Sequence, residues 1–405
     1  MTQLRRSPEK TLLPRGFSFA ALTAGIKASG RPDVALADAG SRATAAALFT
    51  KNRVVAAPLE VARASLLATG GKVRALIVNS GNANCATGTE GRRGCEAVCR
   101  GAAELLGVRE AEIFPSSTGI IGVRFPTGKI TAKLADLISS RSSSQSATLA
   151  FARAIMTTDT RHKVASARFK SGSGHVTLLG MAKGSGMIHP RLATMLVYLF
   201  TDVEASTREL QRLLRDACDP SLNAMSVDGD TSTNDTVLLL ANGASGRRVS
   251  DAGVEKKFAR ALLGVCQSLA EQIVTDGEGV QHVIRLFIEQ ASDRDEAMQV
   301  ARAIAHSALV KTAWAGADPN WGRILAAVGN SGVAVDPRRI KIFIGEQMVC
   351  RNGVGFAFNE KRAHRDLSKP VCDVRVRLGR GSEIVRFLTT DLTAEYVRIN
   401  ADYST

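Results

Sequence analysis

Aromatic side chains are scarce in this chain: three Tyr and two Trp stand among 405 residues. That leaves little material for stacking nucleic-acid bases. The basic residues behind the formal net charge of +15 fall as short pairs, among them Arg92-Arg93 and Arg338-Arg339, without a long basic run. A nucleic-acid-binding role is therefore disfavoured, and the charge reads as solvation with some steering of an anionic substrate. Long apolar runs are missing too: none approaches the ~18 residues of a membrane span. Residues 1–16 lack a hydrophobic signal core, so the expected location is the cytoplasm and no membrane partner is expected. The seven cysteines, at 85, 95, 99, 218, 266, 350 and 372, form no disulfide framework and no Cys-x-x-Cys pair, and the six His residues form no His-x-x-x-His pair. A metal is not indicated, and Cys95 and Cys99, one helical turn apart, are expected to face a core.

What is present is an alternation of strand and helix signals. Residues 34–37 and 45–49 read as two short strands around a turn at 38–41, and 73–78 as a buried third. Residues 79–82 read as a turn. Helical spacing covers 91–106, 147–156 with Ser146 as N-cap, 208–218 and 254–274. Residues 283–288 follow as a strand, then a helix over 293–311 and strands at 340–344 and 384–388. The length exceeds what one core usually holds, so two units are expected, 1–280 and 281–405.

The segment Lys183-Gly184-Ser185-Gly186-Met187-Ile188-His189-Pro190-Arg191-Leu192-Ala193-Thr194-Met195-Leu196 concentrates the chemistry. Taken alone it fits a glycine turn leading into a buried strand over 195–200. It also fits a nucleophile. A Thr hydroxyl needs an adjacent base, and a free α-amine on the same residue supplies one if the chain is cut between Ala193 and Thr194. The flanking glycines tolerate the backbone angles such a cut demands. A phosphate-binding loop is excluded because Lys183 precedes the glycines.

This segment resembles the cleavage motif of the ornithine acetyltransferases (glutamate N-acetyltransferases). The resemblance continues through Pro14-Arg15-Gly16-Phe17, Asn79-Ser80-Gly81-Asn82-Ala83-Asn84, Ser117-Thr118-Gly119-Ile120-Ile121-Gly122 and Met156-Thr157-Thr158-Asp159-Thr160. It extends to Asp228-Gly229-Asp230-Thr231-Ser232-Thr233-Asn234-Asp235, Asp276-Gly277-Glu278-Gly279, Asp318-Pro319-Asn320-Trp321-Gly322-Arg323 and Asn400-Ala401-Asp402-Tyr403-Ser404-Thr405. The resemblance implies an α/β fold, an αββα-type sandwich with a smaller C-terminal α/β domain. It implies chains 1–193 and 194–405 after self-cleavage, assembled as a heterotetramer of two of each. It also implies an acyltransferase of arginine biosynthesis that moves acetyl from N-acetylornithine to glutamate by a ping-pong route. Thr194 would be the nucleophile, Thr118 and Gly119 the oxyanion hole, and Thr157, Lys183, Thr194, Glu278, Asn400 and Thr405 the substrate contacts. No cofactor is implied, though some members of the family also take acetyl from acetyl-CoA.

Without the resemblance these residues have duller accounts. Lys183 and Glu278 would be solvated loop charges, and Thr118-Gly119 a turn. The motifs 228–235 and 318–323 read as structural turns that hydrogen-bond their own backbone. His189 and Arg191 depart from the family pattern, standing where Ala and Asn are expected. An N-terminal-nucleophile amidase or aminopeptidase, which gives the acyl group to water, is the rival reading.

Overall fold

The computed structural model describes residues 11–189 and 195–402. Eight strands form one hydrogen-bonded sheet: β1 (Ser18–Leu22), β2 (Val34–Phe49), β3 (Lys72–Asn82), β4 (Ile113–Ile120), β5 (Lys163–Ser171), β6 (Gly174–Lys183), β7 (Leu196–Thr201) and β8 (Thr236–Ala241). Their order is β4-β3-β2-β8-β7-β6-β5, with β1 alongside the first half of β2.

Period-two alternation divides the side chains of these strands between two faces. Ala35, Ala37, Leu76, Val78, Leu196, Tyr198, Phe200, Leu238 and Leu240 belong to one inner cluster, which takes residues from both halves of the sheet. The two halves therefore pack against each other. Their alternate residues face outward. Leu36, Ala75 and Ile77 meet Cys95, Val98 and Cys99 of the helix Gly88–Leu106, together with the helix Leu134–Ser139. Val197, Leu199, Val237 and Leu239 meet the helices Thr207–Cys218 and Val254–Thr275. The result is the αββα arrangement, with Cys95 and Cys99 buried in the outer layer as their spacing implied.

A second sheet, in the order β12-β11-β10-β13-β9-β14, holds β9 (Val283–Ala291), β10 (Lys341–Ile344), β11 (Gln347–Arg351), β12 (Val354–Gly355), β13 (Val371–Arg377) and β14 (Glu383–Thr390). Helices cover it over a core that includes Leu286, Ile304, Trp314 and Phe387. β14 of this sheet is tied to the segment before β8, where Leu388 N donates to Ala224 O and Ser226 N to Leu388 O, both at 2.8 Å. No helix among the described residues is long and apolar enough to cross a membrane.

Several elements differ from the sequence reading. The strands expected at 34–37 and 45–49 are one strand, β2. Its register shifts between Asp38 and Ala43, with Gly40 at φ 73°, so the turn signal marks an irregularity within the strand and not its end. Residues 79–82 belong to β3. The helix Gln145–Ala154 is capped by Ser144, whose Oγ accepts from Ala147 N at 3.2 Å, and not by Ser146. The helix expected over 293–311 is two, Arg294–Ala305 and Ala308–Ala315, the second started by the N-cap Ser307.

Candidate active site

A cavity of about 230 Å³ opens where β3, β4 and β6 end and β7 and β8 begin. Thr118, Gly119, Thr157, Lys183, Met195, Glu278 and Asn400 all line it. Gly119 lies on β4, the edge strand, at φ 134° beside Gly81 of β3. A Cβ on Gly119 would lie 2.5 Å from Asn82 N and closer still to the Gly81 carbonyl carbon. Only glycine lets the two backbones meet this closely. Buried amides hold the end of β4 around Thr118: Asn234 Nδ2 donates to Ala83 O at 2.7 Å and Ser117 O at 2.9 Å, and Ser117 Oγ donates to Asn79 Oδ1 at 2.6 Å.

Lys183, at the end of β6, donates to Thr118 Oγ1 at 3.3 Å. Burial lowers its proton affinity, and Asp159, Asp235 and Glu278 restore part of it. Asp159 lies behind it and accepts from Gly184 N at 2.6 Å, Thr157 N at 3.0 Å and Lys163 Nζ at 2.6 Å. Burial alone would raise this carboxyl, but the two lysines and the amide donors bring it to about 2. Lys163 also donates to Asp276 at 2.6 Å, and Asp276 accepts from the backbone and side chain of Thr160. This ion group fixes the 157–160 loop against the 184–186 turn.

The opposite wall is acidic. Asp228 accepts from Met187 N at 2.5 Å and Ile188 N at 2.8 Å, holding a turn in which Met187 has φ 54°. Burial raises the Asp228 carboxyl, and Tyr396 Oη donates to it at 3.3 Å. Glu278 accepts from Asn400 Nδ2 at 2.9 Å and lies against Gly186, where a Cβ would strike its carboxylate. His189, one of the two departures, is buried with its ring edge-on to His306 at 4.2 Å.

The structure thus brings Thr118, Gly119, Thr157, Lys183, Glu278 and Asn400 to one cavity, although they come from widely separated parts of the sequence. Ala193, Thr194, Arg191 and Thr405 lie outside the described residues. The sequence reading missed Asp228, Asp230, Asp235 and Tyr396, all of which line the cavity. The three Asp residues lay in a motif already noticed but assigned to a structural turn. Tyr396 lay in a helix with no distinguishing signal. Asp159 sat two residues from Thr157 inside another quoted motif.

The model of the ArgJ family matches residues 18–405. An arginine biosynthesis bifunctional protein ArgJ from Methylococcus capsulatus is 43% identical over 394 residues, 96% of this chain and 95% of its own length. A glutamate N-acetyltransferase from Methanopyrus kandleri is 44% identical over 395 residues, 97% of this chain and 99% of its own. Among solved structures, the arginine biosynthesis bifunctional protein of Bacillus halodurans is 37% identical with a TM-score of 0.49, covering 51% of this chain and 98% of that one.

Proposed function

Because the chain belongs to the ArgJ family of acyltransferases, we propose that it transfers acetyl from N-acetylornithine to glutamate through an acetyl ester on Thr194, after cutting itself between Ala193 and Thr194. The observation that carries this reading is the convergence of Thr118, Gly119, Thr157, Lys183, Glu278 and Asn400 on one cavity that also takes Met195, the residue bonded to Thr194. Lys183 donates to Thr118 Oγ1, which leaves the Thr118 proton free to point at the acetyl oxygen alongside the Gly119 amide. Two such donors suit a developing oxyanion. The Thr194 α-amine takes the hydroxyl proton and returns it to the departing amine of ornithine. Glutamate then attacks the ester.

Lys183 and Glu278 in one cavity suit two amino acids whose side chains end in opposite charges. The scheme needs no cofactor. Acetyl-CoA enters it as a second acetyl donor, and two pairs of the cut chains form the assembly.

The test is intact mass before and after mixing with N-acetylornithine. Two chains, with 194–405 gaining one acetyl group that glutamate removes and water does not, is the expected result. Loss of the acetyl group to water without glutamate would favour the amidase reading. An uncut, unacetylated chain would overturn both. Repeating the mixture with acetyl-CoA tests the second donor.

A further inference from the structure

We propose that Lys27 is a positioning residue for the oxyanion hole, acting on Gly119 through Gly81, a role that rests on the function proposed above. Gly81 and Gly119 stand opposite each other in β3 and β4, in a contact too close for a side chain on Gly119. Gly81, at φ 95°, is closed on another side as well: a Cβ there would lie 3.1 Å from Lys27 Cγ and 3.2 Å from Ile26 Cγ2. β4 is the last strand of its sheet, so among the described residues β3 is its one hydrogen-bonded neighbour. The position of the Gly119 amide thus depends on Gly81, and Gly81 is pressed by residues 26 and 27.

The 24–33 loop is built to hold these two residues in place. The buried Asp33 carboxylate accepts from Ala24 N and Ile26 N at 2.6 Å and from Lys27 N at 3.0 Å, and the Asp33 carbonyl accepts from Ser80 N at 2.8 Å. Lys27 Nζ donates to Pro32 O at 3.0 Å, which closes the loop, and to Ala154 O at 2.9 Å. Ala154 ends the helix Gln145–Ala154, where unpaired carbonyls favour a cation, and its oxygen also accepts from Ser80 Oγ at 2.5 Å. One ammonium therefore gathers the loop, the residue before Gly81 and the helix end that leads to Thr157.

Burial lowers the proton affinity of Lys27 to about 8. Asp33 and Asp159 sustain the proton, and Lys183 and Arg31 oppose it. An apolar side chain of similar length would fill this space without that cost, but would leave Pro32 O and Ala154 O untied. In the transfer, the Gly119 amide must meet an oxygen that carries full charge only at the tetrahedral stage. A slack Gly81 lets that amide drift, while Glu278 and Asn400 stand on other elements and keep their places. The loss then falls on kcat and not on KM.

The experiment measures acetyl transfer from N-acetylornithine to glutamate by wild type, Lys27→Met and Lys27→Arg, with thermal melting of each. Met keeps an apolar stem against Gly81 and loses the ammonium, so kcat should fall about tenfold with KM for N-acetylornithine unchanged. Arg keeps a charged donor and should stay within about threefold of wild type near neutral pH. Above about pH 8 the wild-type amine loses its charge and its bonds weaken. Arg stays charged, so the ratio of wild-type to Lys27→Arg rate should fall between about pH 7 and about pH 9.5. Groups that both proteins share, Lys183 among them, cancel in that ratio. Wild-type kcat in Lys27→Met, a change in KM alone, or a ratio that is flat with pH overturns the inference and leaves the transfer reading standing. The Lys27→Arg ratio decides even where Lys27→Met does not fold. A wild-type protein that moves no acetyl to glutamate overturns both.

Discussion

The stretches 228–235 and 318–323 share a composition of Asp, Asn and Gly, yet they do different work. The first runs along the cavity into the central strand β8. Asp228 grips the 187–188 turn, Asn234 supports the end of β4 at Ser117, and Thr236 N, next to Asp235, donates to Met195 O. The second lies on the far unit, in an open groove with Phe358 and His364. There Asn320 caps the helix Trp321–Gly329 by accepting from Arg323 N at 3.2 Å, and Arg323 Nη1 donates to Leu309 O at 2.8 Å. Both stretches bond polar side chains to nearby backbone, as their residue types dictate. The element each one enters decides whether those bonds shape a cavity or a helix end.

Removing one side chain from each side of this comparison should separate the two roles. Asn234→Ala strips two buried carbonyls of their donor, so we expect a loss of about 3 kcal/mol in unfolding free energy together with about 100-fold in acetyl transfer. Denaturant melts and initial rates read both, and normal transfer by a destabilised protein would show that the Thr118 end of β4 does not depend on Asn234.

The ion group behind the cavity gives a sharper pH signature. Asp159 falls from an ordinary 3.8 to about 2 in the folded protein, so its contribution is complete above the unfolded value and disappears as pH falls through the folded one. Between about pH 4 and about pH 2, wild type should lose about 2 kcal/mol that Asp159→Asn does not lose. Parallel acid-denaturation curves for the two proteins would contradict this.

Smaller effects follow. Asp228→Ala frees the Met187 and Ile188 amides and should lower the rate of transfer about tenfold, close to 1.4 kcal/mol, with about 1 kcal/mol lost in stability, read by initial rates and denaturant melts. Asn320→Ala loses a helix cap and should cost about 1 kcal/mol of stability, with kcat and KM unchanged. A kinetic defect in the Asn320 variant would erase the contrast between the two stretches.

The αββα arrangement was legible through the family resemblance and not through alternation: β3 and β7 read only as buried strands, and β8, apolar on both faces, was not assigned, although its residues and those of β3 and β7 go alternately to opposite clusters. The length of β2 was not, since the Gly40 turn signal is local while pairing with β3 and β8 on either side carries the strand through it. The split at Ser307 was hidden because the apolar spacing continues through a capping residue. At the cavity, family motifs pointed to Thr118, Gly119, Thr157, Lys183, Glu278 and Asn400. The acidic wall escaped because Asp is the ordinary residue of turns, and its burial here depends on contacts between distant segments.

The strand order β4-β3-β2-β8-β7-β6-β5 alternates between the two sides of position 194. A chain divided there would contribute β7 and β8 from its second piece, clamped between β2 and β6 of its first. Neither piece then has a complete sheet to fold on, and neither can leave without exposing a fully buried strand such as Leu196–Thr201. The halves of a mature molecule would not exchange with those of another. Folding would have to come before such a cut, and once denatured the two pieces would have to find each other as separate molecules, without the loop closure that first brought them together.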